Sequence, residues 1–222
     1  MKKILVFLSF VYGFVYGGEL VIIDKPIDFS EKRVELTKEY IKSRYFMDVD
    51  SIEIIPKVIV LHWTAEGDFE KSFARFKPEL LLSDRKDIAG VSSLNVAAHF
   101  LVDKDGTIYR LMPENWMGRH TIGLNFNSIG IENVGGVGDK EGDLTEAQVK
   151  ANIQLVKYLK EKYETIEYLI GHHEYGNMKQ TSLWLERDPN YFTHKNDPGD
   201  LFMKLVREGV DDLNLSKPPK GE

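Results

Sequence analysis

The sequence predicts an α/β fold of the α+β kind: a single domain built on a central mixed β-sheet flanked by helices. Three observations predict it. Val58-Ile59-Val60-Leu61 is a continuous apolar run, the pattern of a strand buried on both faces. His99–Val102 and Thr107–Leu111 are two strand-like runs joined by Asp103-Lys104-Asp105-Gly106, where glycine can supply a positive φ, so together they read as a hairpin. Glu146 to about Tyr163 carries Val149, Ile153, Val156 and Leu159 at helical spacing. Strands interleaved with helices, one hairpin among them, call for a mixed sheet covered by helices.

In chain order, residues 1–17 stand apart. Lys2 and Lys3 precede an apolar stretch from Ile4 to Tyr16, followed by small residues at Gly17-Gly18, the layout of a secretory signal peptide. The stretch is short for a membrane span, which needs ~20 residues; an uncleaved anchor or a core strand are the alternatives. Residues 18–56 read as an N-terminal helical extension packed on the domain, with a charged helix from Ser30 to Tyr45. Val34, Ile41 and Tyr45 share one side of that helix, and Leu36 and Tyr40 lie on another. Residues 57–213 form the main domain. Within it, Phe69–Phe76 reads as a short helix and Ile129–Val134 as a strand. The helix from Glu146 opens with Thr145 as N-cap, Gln148 completing a capping box, and Leu144 and Val149 placed as a hydrophobic staple. Tyr168-Leu169-Ile170 is a strand leading into Gly171-His172-His173, and Asp200–Val210 a last helix. Residues 214–222 are a polar tail.

The chain has 222 residues, of which 42% are hydrophobic and 29% charged, an ordinary globular composition that excludes disordered and fibrous classes. A net charge of −6 argues against nucleic-acid binding, which needs a basic face. There is no cysteine, so disulfides, thiolate metal ligands and a thiol nucleophile are all excluded, and any metal site must use His, Asp, Glu or backbone.

Two of the six histidines close apolar strands: His62 follows Val58–Leu61 and His172 follows Tyr168–Ile170 and a glycine. A strand end is rigid and opens to solvent, which suits a functional side chain. With Asp197, in an Asp-Pro-Gly turn, they make two imidazoles and a carboxylate, a common zinc set that leaves a coordination position for water. His173 competes with His172 for this place; neighbours on an extended chain face opposite ways, so one of the two is excluded.

Six motifs then occur in order: Val60-Leu61-His62-Trp63-Thr64; Ala98-His99-Phe100; Asp105-Gly106-Thr107-Ile108; Asn125 with Ser128-Ile129-Gly130-Ile131-Glu132; Gly171-His172; and Lys195-Asn196-Asp197-Pro198-Gly199. In that order they resemble the zinc-dependent N-acetylmuramoyl-L-alanine amidases of the type-2 amidase family, whose relatives include phage lysozyme-like amidases and peptidoglycan recognition proteins. The resemblance implies that fold, one Zn2+ ion on His62, His172 and Asp197, a catalytic carboxylate at Glu132 and a catalytic cation at Lys195. It puts Trp63, His120 and Asn125 along the substrate groove, with core packing an equal alternative for Trp63, and it leaves His99 to support the core. His194 stands where many relatives carry Arg and is given no role. The implied activity is hydrolysis of the amide between N-acetylmuramic acid and L-alanine in peptidoglycan or muropeptides, by a secreted or periplasmic protein with no membrane span after signal cleavage. A peptidoglycan-binding module without activity and a metallopeptidase cutting within the stem peptide are the alternatives. The stretch Tyr175–His194 is longer than in compact relatives, and its Trp184, Tyr191 and Phe192 are expected to form one wall of the groove, with a loop that merely covers the core an equal alternative.

Overall fold

The structure, a computed structural model, describes residues 20–220. The signal-peptide reading of residues 1–17 lies outside them. Among the described residues six strands form one sheet: β1 (Ile22–Asp24), β2 (Val58–Trp63), β3 (Phe100–Val102), β4 (Ile108–Arg110), β5 (Ser128–Asn133) and β6 (Tyr168–Gly171), in the order β1-β4-β3-β5-β2-β6. Only the hairpin pair β3–β4 is antiparallel; every other neighbouring pair is parallel, so the sheet is mixed. Among the described residues four α-helices accompany it: α1 (Glu31–Tyr45), α2 (Phe69–Phe76), α3 (Glu146–Lys162) and α4 (Asp200–Glu208). Among the described residues no helix is long and apolar enough to cross a membrane.

The central strand β2 is buried along all six residues, and its side chains alternate between two layers. Ile59 and Leu61 pack with Ile129, Ile131 and Leu169 against α3 and α4, where Leu155, Leu159, Met203 and Val206 meet them. Val58, Val60 and Ile170 face the other way, onto Ile122, Leu124, Tyr175 and Met178. Each fully buried aliphatic side chain contributes about 1.5–3 kcal/mol, so this run anchors both layers at once. His62 continues the Val58–Val60 parity and therefore points away from α3 and α4.

α3 starts where the capping box sets it: the Thr145 hydroxyl accepts from Gln148 N at 3.1 Å and Gln148 Oε1 accepts from Thr145 N at 3.0 Å. Its buried face is not the purely apolar stripe. Gln148 and Asn152 are fully buried, while Val149 and Ile153 sit half-buried at the margin. Gln148 Nε2 donates to Val102 O and Val134 O, tying the helix start to two strand ends.

α1 shows the same effect more strongly. Its buried residues are Arg33, Thr37, Tyr40, Ile41 and Tyr45. The apolar-only pattern pairs Val34 with Ile41 and puts Tyr40 on a different side, yet Tyr40 is fully buried. Arg33 explains the rotation. Its guanidinium donates to Phe76 O at 3.2 Å and Lys77 O at 3.3 Å, and also to Pro78 O, capping the C-terminal end of α2. Beyond this helix, the segment 18–56 supplies β1, which pairs with β4 as a sheet edge. A three-residue strand with two exposed residues leaves little periodicity to read.

Candidate metal centre and groove

The strand registers assemble the site. His62 and Glu132 are register partners on parallel strands β2 and β5, so their side chains stand side by side on one face. Leu61 pairs with Gly171 on β6, which brings the next residue, His172, up beside His62. All three lie at the C-terminal ends of parallel strands, the edge where open α/β sheets bind ligands. Asp197 comes from the loop before α4. His173 braces it: His173 N donates to Asp197 O at 2.8 Å, and His173 Nδ1 approaches the same carbonyl at 2.9 Å. The His173 Nε2 turns outward to Asp200 Oδ1 at 3.1 Å. His172 and His173 thus diverge, but through the 3-10 turn that begins at His172, not through the pleat of an extended chain.

His62 Nδ1, His172 Nδ1 and Asp197 Oδ2 converge on one point. The two nitrogens are 3.0 Å apart, His172 Nδ1 is 3.0 Å from Asp197 Oδ2, and His62 Nδ1 is 3.3 Å from it. All three residues are buried, and the group could bind a metal. Donors about 2.0–2.1 Å from a shared tetrahedral ion stand about 3.3–3.4 Å apart, close to these edges. Three electron pairs aimed at one point also repel one another until a cation lies between them. Burial, and then the neighbouring His172, hold the His62 imidazole down at about 4, so it is neutral at physiological pH, the form that ligates metal. Burial alone would raise the Asp197 carboxyl, but His172 and His62 keep it below the usual carboxylate range. Behind His62 a buried amide chain fixes the strand: Asn152 Nδ2 donates to Asn133 Oδ1 at 2.7 Å, and Asn133 Nδ2 to His62 O at 3.0 Å.

Glu132 is 8% exposed, and its Oε2 is buried without a hydrogen-bond partner among the described residues. Desolvation, then the Asp197 charge, push its carboxyl well above the ordinary value, against the pull of Lys195 and Arg85. A cavity of about 520 Å³ joins His62, Glu132, His172, Lys195, Asp197 and Arg85. Lys195 is half-buried and forms no ion pair among the described residues. A larger cleft of about 690 Å³ between α4 and the C-terminal segment is lined by Lys204, Arg207 and Glu208 and holds none of these groups.

Trp63, His120 and Asn125, the residues expected along the groove, all border it. His120 borders it and stands 3.1 Å from His62 Nε2. Asn125 is 1% exposed, and its amide is committed: Oδ1 accepts from His120 N at 2.8 Å and Thr121 N at 2.7 Å, and Nδ2 donates to the Tyr40 hydroxyl. It shapes the groove by fixing the His120–Thr121 backbone. Trp63 is 8% exposed and lies against Gly136, where an added Cβ would sit 2.2 Å from its ring. His99 is fully buried: Nδ1 accepts from Gly130 N at 3.0 Å and Nε2 donates to Trp116 O at 2.7 Å, a satisfied core histidine.

Of the three aromatics expected to wall the groove, Tyr191 reaches it, while Trp184 and Phe192 pack over the core as the alternative reading has it. Trp184 lies on Gly123 and stacks on Tyr175, and Phe192 stacks on Tyr175 at 5.0 Å with Lys179 over its outer face. These rings cover the core. Only Tyr191, Thr193 and His194 from the segment reach the groove. Arg85, at the opposite rim, was not singled out by sequence, because a lone arginine in a charged loop carries no distinguishing pattern. Neither were Ser128 and Thr121, which contact His120. Ser128 opens the Ser-Ile-Gly-Ile-Glu motif, the one signal that could have marked it.

A family model described as N-acetylmuramoyl-L-alanine amidase (Amidase_2) matches residues 53–200. The chain is similar to the endolysin of Escherichia phage T7, 37% identical over 97 residues covering 42% of this chain and 64% of that protein. The endolysin of Enterobacteria phage T3 is 36% identical over the same shares of each chain. The match therefore spans just under two thirds of these curated relatives. Among solved structures, N-acetylmuramoyl-L-alanine amidase LysC from Clostridium intestinale URNW shares the fold, with a TM-score of 0.51, 23% identity, and coverage of 88% of this chain and 99% of that one.

Proposed function

Because the chain belongs to the Amidase_2 family of N-acetylmuramoyl-L-alanine amidases, we propose that it is a zinc hydrolase cutting the amide between N-acetylmuramic acid and L-alanine in peptidoglycan or its fragments. The observation that carries this reading is the convergence of His62, His172 and Asp197 within one groove beside a buried carboxyl, Glu132, that has an unpartnered oxygen. His62 Nδ1, His172 Nδ1 and Asp197 Oδ2 would hold one Zn2+ ion. Zinc at such a site supplies Lewis acidity and brings the pKa of a coordinated water to ~7.

The chain's own residues do the rest. Glu132 takes the proton of the attacking water on its free oxygen and delivers it to the departing L-alanine nitrogen; a raised pKa suits a group that must hold a proton between those steps. Lys195, on the same groove, offers positive charge to the carbonyl oxygen as it becomes anionic. Asn125 holds the His120–Thr121 wall, and His120 borders the substrate. A wall substrate implies a secreted or periplasmic site of action, in keeping with the basic-then-apolar start of the chain.

Mass analysis of muropeptides digested by the protein, run beside Glu132→Ala, tests the reading. Release of intact stem peptides with a free L-alanine amine, lost in Glu132→Ala, is the expected result. Cuts inside the stem, or retained binding without any cut, would replace the amidase by a peptidase or by a binding module.

A further inference from the structure

His62 can ligate through Nδ1 only if that nitrogen carries no hydrogen, and the structure contains a chain of contacts that decides where its hydrogen sits. The chain starts from an atom that can only accept. Ser128 Oγ donates its single hydrogen to Leu124 O at 2.8 Å, so toward other groups it acts as an acceptor. His120 Nε2 lies 3.2 Å from that Oγ and 3.5 Å from Ser128 O, a second acceptor-only atom, so Nε2 carries the hydrogen of His120. A neutral imidazole has one donor nitrogen and one acceptor nitrogen, so with the hydrogen on Nε2 its Nδ1 is bare. The bare Nδ1 faces His62 Nε2 at 3.1 Å, where a second bare nitrogen would set lone pair against lone pair; the Thr121 hydroxyl lies 2.9 Å from His120 Nδ1 and 3.5 Å from His62 Nε2, so it can donate to the first and accept from the second. His62 therefore carries its hydrogen on Nε2. Its Nδ1 is left as a lone pair aimed at His172 and Asp197.

We infer that Leu124 O, Ser128 and His120 form a polarity-setting relay that locks His62 in the Nε2–H tautomer and so prepares its Nδ1 for the metal, with His120 and Ser128 as positioning residues. The packing is built to hold the relay. The His120 ring lies flat on β5 over Gly130, where a Cβ would come within 2.7 Å of it. The His120 backbone N–H is pinned by Asn125 Oδ1 at 2.8 Å. Outer-shell partners of this kind typically change metal affinity 10–100-fold. The inference rests on His62 being a metal ligand and is independent of the substrate proposed above.

The test begins without metal. Long-range 1H–15N correlation spectra of the 15N-labelled, metal-stripped protein at neutral pH, with His62 assigned by comparison to His62→Gln, should show hydrogen on Nε2. Zinc affinity is then measured by competition with a chromophoric chelator. His120→Phe keeps the ring volume and removes the acceptor; it should weaken zinc about 10–100-fold and mix the His62 tautomers. His120→Asn places an oxygen near the Nδ1 position and should lose less than the roughly 10-fold lower end of that scale. Hydrogen on His62 Nδ1 in the parent protein, unchanged affinity in His120→Phe, or equal losses in both variants would each overturn the relay. A parent protein that binds no zinc would instead remove the metal reading, while the His62 spectrum still decides the relay.

Discussion

Gly130→Ala is the sharpest mechanical probe of the site. The added Cβ would stand 2.7 Å from His120 Cγ and Nδ1 and 2.9 Å from Cε1. Ordinary carbon contacts lie near 3.5–4.0 Å, so the ring must retreat by about 1 Å. It has little room to do so: His62 Nε2 at 3.1 Å and Ser128 Oγ at 3.2 Å hold its two nitrogens, and Asn125 Oδ1 holds its backbone at 2.8 Å. Overpacking of a fixed site costs about 1–3 kcal/mol. At about 2–4 °C per kcal/mol for a domain of this size, the melting temperature should fall by about 2–12 °C. The displaced ring also lengthens its contact with His62, so zinc affinity should fall with stability. Thermal unfolding followed by circular dichroism and chelator competition read the two effects separately. A variant with parental melting temperature and parental zinc affinity would refute the packing argument.

Further expectations follow from the same geometry. Glu132→Gln should lower turnover by about 10²–10⁴ while zinc still binds, since the amide cannot take a proton. In the metal-free protein the same change should raise stability at neutral pH: a carboxyl whose folded pKa is raised penalises the native state above its unfolded pKa, so the gain should shrink as pH falls below the ordinary value of 4.5. Lys195→Met should cut kcat by about 10²–10³ with little change in zinc affinity, read by steady-state kinetics on a defined muropeptide. Trp184→Ala should cost about 3 kcal/mol in urea unfolding, because the ring fills the space over Gly123, yet leave KM unchanged; a raised KM would restore the segment as a groove wall.

What the sequence showed clearly was the part of the fold carried by apolar periodicity and by turn chemistry. β2 is read directly from Val58–Leu61, the hairpin from Asp103–Gly106, and the start of α3 from Thr145 and Gln148. The errors came from buried polar residues. Arg33 and Thr37 in α1, and Gln148 and Asn152 in α3, look solvent-facing by type, but each finds backbone or amide partners inside and rotates the buried face away from the apolar stripe. At the site, the residues brought together at strand ends were legible because strand and motif coincide. Trp184 and Phe192 were less legible, because an aromatic side chain near a groove in sequence can spend its contacts on the scaffold, as Trp184 does on Gly123 and Tyr175; Asn125 both borders the groove and holds the His120–Thr121 backbone. The Ser128–His120–His62 alignment joins atoms from three separate segments, and the contacts of the His120 ring with the other two side chains show it.

The most direct measurement is zinc titration of the metal-stripped chain, with X-ray absorption at the zinc edge on the loaded protein. The expected result is one ion per chain in a shell of two imidazole nitrogens and carboxylate or water oxygens, with His172→Ala and Asp197→Ala each reducing the bound metal. Saturation without any zinc bound, or a shell unaffected when His62, His172 or Asp197 is removed, would contradict the account.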